Sequence, residues 1–228
     1  MELEGKTVLV TGAAGGIGAQ TCRQFVAQGD TVVAVDRSLS GLSRLQSELG
    51  NSLRIAECDL SDEQAIATLQ RDLADLTLDV LVNNASSFFP TPFEEATEQQ
   101  WHQLMDSNLK GAFFLCQSLA ESLRKQCGSI INIASVSAVR PSPGTAAYGA
   151  AKAGLVNLAT SLAVEWAPKV RVNSVIAGLI RTEQSHLHYG DEEGIREVMA
   201  AVSYFPGSVR SILDQYERVV NEERKLSD

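Results

Sequence analysis

Tyr148 and Lys152 stand four residues apart in a stretch, Ala146 to Ala167, whose apolar spacing predicts a helix almost free of charge up to Glu165. Residues at that separation share a helix face, so the Lys152 ammonium is expected near the phenol, favouring its ionised form. A phenol with an ordinary pKa of about 10 then becomes a usable acid or base at neutral pH. Of the four tyrosines, only Tyr148 has a lysine four residues on. Ser135, thirteen residues before Tyr148 and at the end of an apolar run, adds a hydroxyl. Taken alone, a Tyr and a Lys so spaced more often describe a solvated helix face.

A second constellation suits phosphate. The apolar run Thr7 to Val10 leads into Thr11-Gly12-Ala13-Ala14-Gly15-Gly16-Ile17-Gly18, and helical spacing follows to Gln28. Glycines between a strand and a helix allow a tight turn, let backbone N–H groups approach a pyrophosphate, and aim a helix N-terminus at its charge. A glycine-rich stretch is weak evidence by itself; its place between the first strand and first helix strengthens it. Asp36, at the end of the next run, offers a carboxylate to both hydroxyls of an adenosine ribose and would repel a 2′-phosphate. The expected cofactor is NAD(H), with Arg37 beside Asp36 leaving some tolerance of NADP(H).

These residues need elements to hold them. Short β-branched runs at Thr7–Val10, Thr31–Val35, Leu53–Cys58, Val80–Val82, Ser129–Ile133 and Val170–Ile176 predict strands. Between them, Gly16–Gln28, Ser40–Leu49, Asp62–Leu76, Thr97–Gln126 with a break near Asn108, and Ala146–Ala167 predict helices. Strands apolar throughout, alternating with helices, imply a parallel sheet covered on both faces: one Rossmann-like, doubly wound α/β domain. From Gly207 to Leu226, apolar residues from Val209 to Val220 recur at helical spacing among charged ones, predicting a terminal amphipathic helix with no strand after it.

Composition narrows the function. With 228 residues, 44% hydrophobic and 21% charged, the chain resembles ordinary globular proteins and excludes fibres and disorder. A formal charge of −9 and scattered basic residues argue against nucleic-acid partners. Cys22, Cys58, Cys116 and Cys127 lack a C-x-x-C pair and read as buried free thiols of a reducing compartment. An acidic start without a signal-peptide pattern, and no apolar run near the ~18 residues of a span, predict a cytoplasmic protein away from membranes. His186 and His188, near Glu183 and Asp191, suit a polar lid better than a metal site, so no metal is expected.

Thr11-Gly12-x-x-x-Gly16-x-Gly18, Asp59-Leu60, Asn83-Asn84-Ala85, Asn108, Ser135, Tyr148-x-x-x-Lys152 and Asn173 together resemble the classical short-chain dehydrogenase/reductase family, in its order, over residues 5 to about 185. The resemblance implies that Tyr148 exchanges a proton with the substrate oxygen while Lys152 binds the nicotinamide ribose and lowers the phenol's pKa. Ser135 would hydrogen-bond the carbonyl or alcohol, and Asn108 would hold a relay water through an irregularity in its helix. Asp59 and Leu60 would meet the adenine, Asn84 and Ala85 would line the cofactor path, and Ile180 and Thr182 would approach the nicotinamide amide. Gly12, Gly16, Ile17 and Gly18 belong to the phosphate loop. The implied reaction is hydride transfer between NAD(H) and a small secondary alcohol or ketone. In the family the two long helices form a dimer-making bundle.

Three departures stand out. Ala177 replaces the proline usual before Gly178. Ser86 replaces the glycine of the Asn-Asn-Ala-Gly motif, and Ser86 to Pro92 is locally similar to pteridine reductases, although Asp36 and Ser135 differ from that subgroup. The family's last strand has no counterpart, so residues 1–203, including a lid at about 179–203, are read as the dinucleotide domain and 204–228 as an atypical helix. That loss sets against a tetramer. It also keeps open a cofactor-binding homologue impaired in catalysis, while the Ser86 to Pro92 similarity keeps open a pteridine reductase-like carbonyl or imine reductase.

Overall fold

A computed structural model of the chain describes residues 5–178, 180–182 and 193. Within these residues, strands β1 (Thr7–Thr11), β2 (Thr31–Asp36), β3 (Leu53–Glu57), β4 (Val80–Asn83), β5 (Ser129–Ser135) and β6 (Arg171–Ala177) form one six-stranded sheet. All pairs are parallel, in the order β3-β2-β1-β4-β5-β6. Helices α1 (Gly16–Ala27), α2 (Leu39–Leu49), α3 (Glu63–Asp72), α4 (Glu98–Met105), α5 (Gly111–Lys125) and α6 (Ala146–Trp166) lie between them in the chain. The expected Rossmann-like doubly wound fold is therefore present. Its strand order reverses between β1 and β4, where such sheets open a crevice at their carboxyl ends.

Alternation along β1 shows how both faces are buried. Val8 and Val10 pack with Phe25 of α1 and Leu42 and Leu45 of α2, whereas Leu9 packs with Leu115, Leu119 and Leu123 of α5. Successive strand side chains point to opposite faces, so an unbroken apolar run fills both layers. Fully burying one such valine or leucine stabilises the fold by roughly 1.5–3 kcal/mol. That burial fixes the register of the strands whose ends carry the chemistry.

Several expectations change in detail. The third helix ends at Asp72 rather than Leu76, because Leu73 is buried in the core and Ser122 of α5 captures the chain beyond it. Ser122 Oγ donates to the Leu76 carbonyl at 3.1 Å and accepts from the Leu78 N–H at 2.9 Å. The long helix expected over Thr97–Gln126 is interrupted by a π-helical turn, Asp106–Lys110, between α4 and α5, at the predicted break. Cys127 corrects the reading of four buried thiols: Cys22, Cys58 and Cys116 are buried, but Cys127 is exposed. It sits just past the α5 terminus at φ 49°, in the reversal toward β5, where the side chain faces outward.

Among the described residues β6 is a sheet edge. The terminal helix expected over 204–228, and most of the lid expected over 179–203 with His186, His188 and Tyr189, lie outside the described residues. No described helix is long and apolar enough to cross a membrane, and no metal-holding cluster occurs among the described residues.

Candidate active site

The phosphate loop is built by close approach of backbone to backbone. A Cβ on Gly12, whose φ is +65°, would lie 2.8 Å from Ala85 Cα, and one on Gly18 would lie 2.1 Å from the Gly12 carbonyl oxygen. Thr11 Oγ1 accepts from the N–H groups of Asn84 and Ala85, both at 2.9 Å, tying the ends of β1 and β4 together. Asn84 Nδ2 donates to the carbonyls of Thr11 at 2.9 Å and Gly12 at 3.2 Å. The Asn84 amide thus braces the loop from beneath, while Ala85 lines the cleft above. Helix α1 has no acidic residue in its first turn, which suits an incoming anion. Thr182 Cγ2 stands 3.6 Å from where a Gly16 Cβ would be, and Ile17 and Ile180 pack against the core under this loop.

The adenosine end follows from β2 and β3. Asp36 Oδ2 accepts from the Ala14 N–H at 3.0 Å and Oδ1 from the Ser38 N–H at 2.9 Å, so the carboxylate also latches the phosphate loop. Each oxygen keeps a further lone pair for a ribose hydroxyl. Gly12, Asp36, Asp59, Leu60 and Ala85 line one open cleft. The Ser61 N–H and hydroxyl on Asp59, at 2.9 and 2.7 Å, with Arg37 nearby, hold its carboxyl below the usual range. A helix N-terminus without an acidic residue, a glycine cradle that a Cβ would fill, and the Asp36 carboxylate at the end of β2 fit a nicotinamide dinucleotide.

At the other end, Ser135 closes β5, and Tyr148 and Lys152 lie on the first turns of α6. The Ser135 and Ser86 hydroxyls are the polar groups that bear on the Tyr148 phenol. The Phe88 ring meets the Tyr148 ring edge-on, with centroids 5.0 Å apart. Lys152 is 2% exposed; its Nζ donates to the Ile133 carbonyl at 3.0 Å and stands 5.7 Å from the Tyr148 ring centroid. Burial pushes Lys152 down to about 8. Burial also pushes the Tyr148 phenol up, with the Ser135 and Ser86 hydroxyls pulling it back in part. The expectation of a phenol lowered by Lys152 is therefore corrected: the ammonium is committed to the Ile133 carbonyl, and desolvation dominates.

Asn108 occupies the π-helical turn and is 1% exposed. Its Nδ2 donates to the Leu104 carbonyl four residues back at 2.9 Å and across to the Ser87 carbonyl at 2.8 Å. Its Oδ1 accepts from Ser86 Oγ at 2.5 Å. Asn108 and Ser86 are thus joined by a hydrogen bond at the edge of the site. Reading by residue type overlooked Ser86 and Phe88 as partners of Tyr148; the replacement of the motif's glycine by Ser86 was the available signal.

The comparisons with known proteins agree with this geometry. The family model for short chain dehydrogenases matches residues 6–192. The chain is 34% identical over 199 residues to the D-threitol dehydrogenase of Mycolicibacterium smegmatis, covering 84% of this chain and 76% of that one. The closed form of serine dehydrogenase complexed with NADP+ superposes with a TM-score of 0.78 at 32% identity, covering 85% of this chain and 81% of that one. A 3-ketoacyl-(acyl-carrier-protein) reductase from Brucella melitensis complexed with NADH gives 0.77 at 28% identity, covering 84% and 82%. The chain belongs to the short chain dehydrogenase family and is an oxidoreductase of that family.

Proposed function

We propose that the protein transfers a hydride between NAD(H) and a secondary alcohol or ketone, with Tyr148 as general acid and base. The observation that carries this reading is the meeting of Tyr148, Ser135 and the buried Lys152 at the end of the strand-end crevice. The nicotinamide would supply or accept the hydride. Ser135 would orient the substrate oxygen, Tyr148 would give it a proton in reduction and remove one in oxidation, and Lys152 would bind the nicotinamide ribose and offset the phenolate's charge.

Asp36 favours NAD(H) because a 2′-phosphate would bring negative charge against a carboxylate already holding two backbone N–H groups. The relatives' structures hold both forms of cofactor, so the preference rests on Asp36 and on Arg37, which lies near Asp59. Residues 1–203 are read as the dinucleotide domain with its lid, and 204–228 as a separate helix. Exposed Trp101 on α4, Phe113 on α5 and Val164 on α6 support a homodimer through these helices. The buried free thiols support a reducing, cytoplasmic setting.

A second reading, reduction of a pteridine-like carbonyl or imine, is favoured by Phe88 at the edge of Tyr148. The test is turnover on secondary alcohols, ketones and a pteridine with NAD(H) and NADP(H), read by nicotinamide absorbance. Turnover lost in Tyr148→Phe is expected. NADH binding with no turnover on any substrate would instead indicate a homologue impaired in catalysis.

A further inference from the structure

Gly41 is the third residue of α2 and is buried, inside an element where glycine is among the poorest formers. Its surroundings explain why no side chain stands there. A Cβ on Gly41 would lie 2.6 Å from the Ala14 Cβ of the phosphate loop and 3.2 Å from Ser38 Oγ. A methyl group fixed to the backbone cannot swing aside, so relief would need the loop or the helix itself to move. Hydrogen bonds join the same segments around the Asp36 carboxylate. Ala14 donates its N–H to Asp36 Oδ2 at 3.0 Å, and Ser38 donates its N–H to Oδ1 at 2.9 Å. Ser38 Oγ, capping α2, accepts from the Gly41 N–H at 3.2 Å, while the Ala13 N–H holds the Val35 carbonyl at 3.1 Å. The close approach of Gly41 to Ala14 closes this ring.

We propose that Gly41 is a positioning residue for the cofactor: lacking a side chain, it lets the start of α2 seat against Ala14 and so holds the Ala14 N–H on Asp36. The carboxylate is thereby fixed by two backbone N–H groups at the end of β2, in the cleft that Gly12, Asp59 and Leu60 also line. A methyl group on Gly41 would drive Ala14 away, part its N–H from Asp36 and free one carboxylate oxygen to turn. Gly41 need not touch the cofactor to do this, because the helix start, the loop and the strand end move as one unit. The role deepens the reading of Asp36 as the residue that favours NAD(H), and rests on it.

The test is a mutant cycle in the full chain, with NADH and NADPH affinities read by fluorescence titration and Ala14→Gly alone as the reference. Gly41→Ala should weaken NADH about tenfold, the loss of one hydrogen bond to a charged group, and NADPH less, so that the preference narrows. Adding Ala14→Gly to Gly41→Ala removes the atom that the new methyl group meets, and should restore both the NADH affinity and the preference. Ala14→Val crowds the same contact from the loop side and should act as Gly41→Ala does, which keeps the test open if Gly41→Ala does not fold. A merely structural role would lower the melting midpoint and leave the ratio of the two affinities at the parent's value. That unchanged ratio in both Gly41→Ala and Ala14→Val, or a double variant that binds NADH no better than Gly41→Ala, would overturn the proposal. Equal affinities for NADH and NADPH in the parent chain would instead overturn the reading of Asp36, while loss and rescue of NADH affinity report on the Gly41 to Ala14 contact by itself.

Discussion

Lys152 Nζ donates to the Ile133 carbonyl oxygen at 3.0 Å. A cation is thereby fixed within the fold, 5.7 Å from the Tyr148 ring centroid and almost wholly out of water. Burial lowers its pKa from 10.5 to about 8. Between those values the unfolded chain binds more protons than the folded one, so stability should rise with pH through that window, and the buried charge costs most below it. The rise attributable to Lys152 is on the order of 3 kcal/mol. Urea melts across the window should show it in the parent chain and lack it in Lys152→Met. A Lys152→Met curve parallel to the parent's would contradict this assignment.

Asp36 carries the cofactor prediction. NADH should bind at least about tenfold more tightly than NADPH, a difference of ~1.4 kcal/mol. Asp36→Ala should narrow the gap and also loosen the phosphate loop, because the Ala14 and Ser38 N–H groups lose their acceptor. Fluorescence titration with both cofactors measures this. Equal affinities in the parent chain would remove Asp36 as the discriminating residue.

Gly18 tests the cradle itself. A methyl group there would fall 2.1 Å from the Gly12 carbonyl oxygen and 2.7 Å from Asn84 Nδ2, groups that cannot retreat without parting β1 from β4. Gly18→Ala should cost about 1–3 kcal/mol in denaturant melts, the range of an overpacked site, and weaken NADH binding more than tenfold. Gly50→Ala is a useful contrast, since its φ is +69° but nothing lies within 4 Å of its added Cβ. It should lower stability and leave NADH affinity unchanged.

What was legible in the sequence was whatever sits at a fixed offset from a strand end. Gly12 and Gly18 follow β1, Asp36 ends β2, and Ser135 ends β5, so runs of apolar residues locate them. Tyr148 and Lys152 were legible through helical spacing. The break at Asn108 was also foreseen, but not that its amide would bind the Leu104 and Ser87 carbonyls and thereby orient Ser86. Contacts between residues far apart in the chain have no such offset. Ser122 holding Leu76 and Leu78, or Asp30 buried against the Lys6 N–H at 3.0 Å, leaves no periodic trace. Likewise, composition could not show that Cys127 turns outward, since a local backbone reversal decides it.

The helical faces predict association. Phe113 on α5 and Val164 on α6 are 45% and 82% exposed, apolar surface that a second copy would cover. Sedimentation should find a dimer, and Phe113→Glu should shift it toward monomer by placing a charge in the contact. A parent chain sedimenting only as monomer would contradict the dimer.

Proton transfer through Tyr148 is the centre of the account, and single-substitution kinetics reach it most directly. On whichever secondary alcohol the parent chain oxidises with NAD+, Tyr148→Phe should lower kcat by roughly 10²–10⁴ while NADH still binds. Turnover by Tyr148→Phe equal to the parent's would contradict the assignment of Tyr148 as the acid and base.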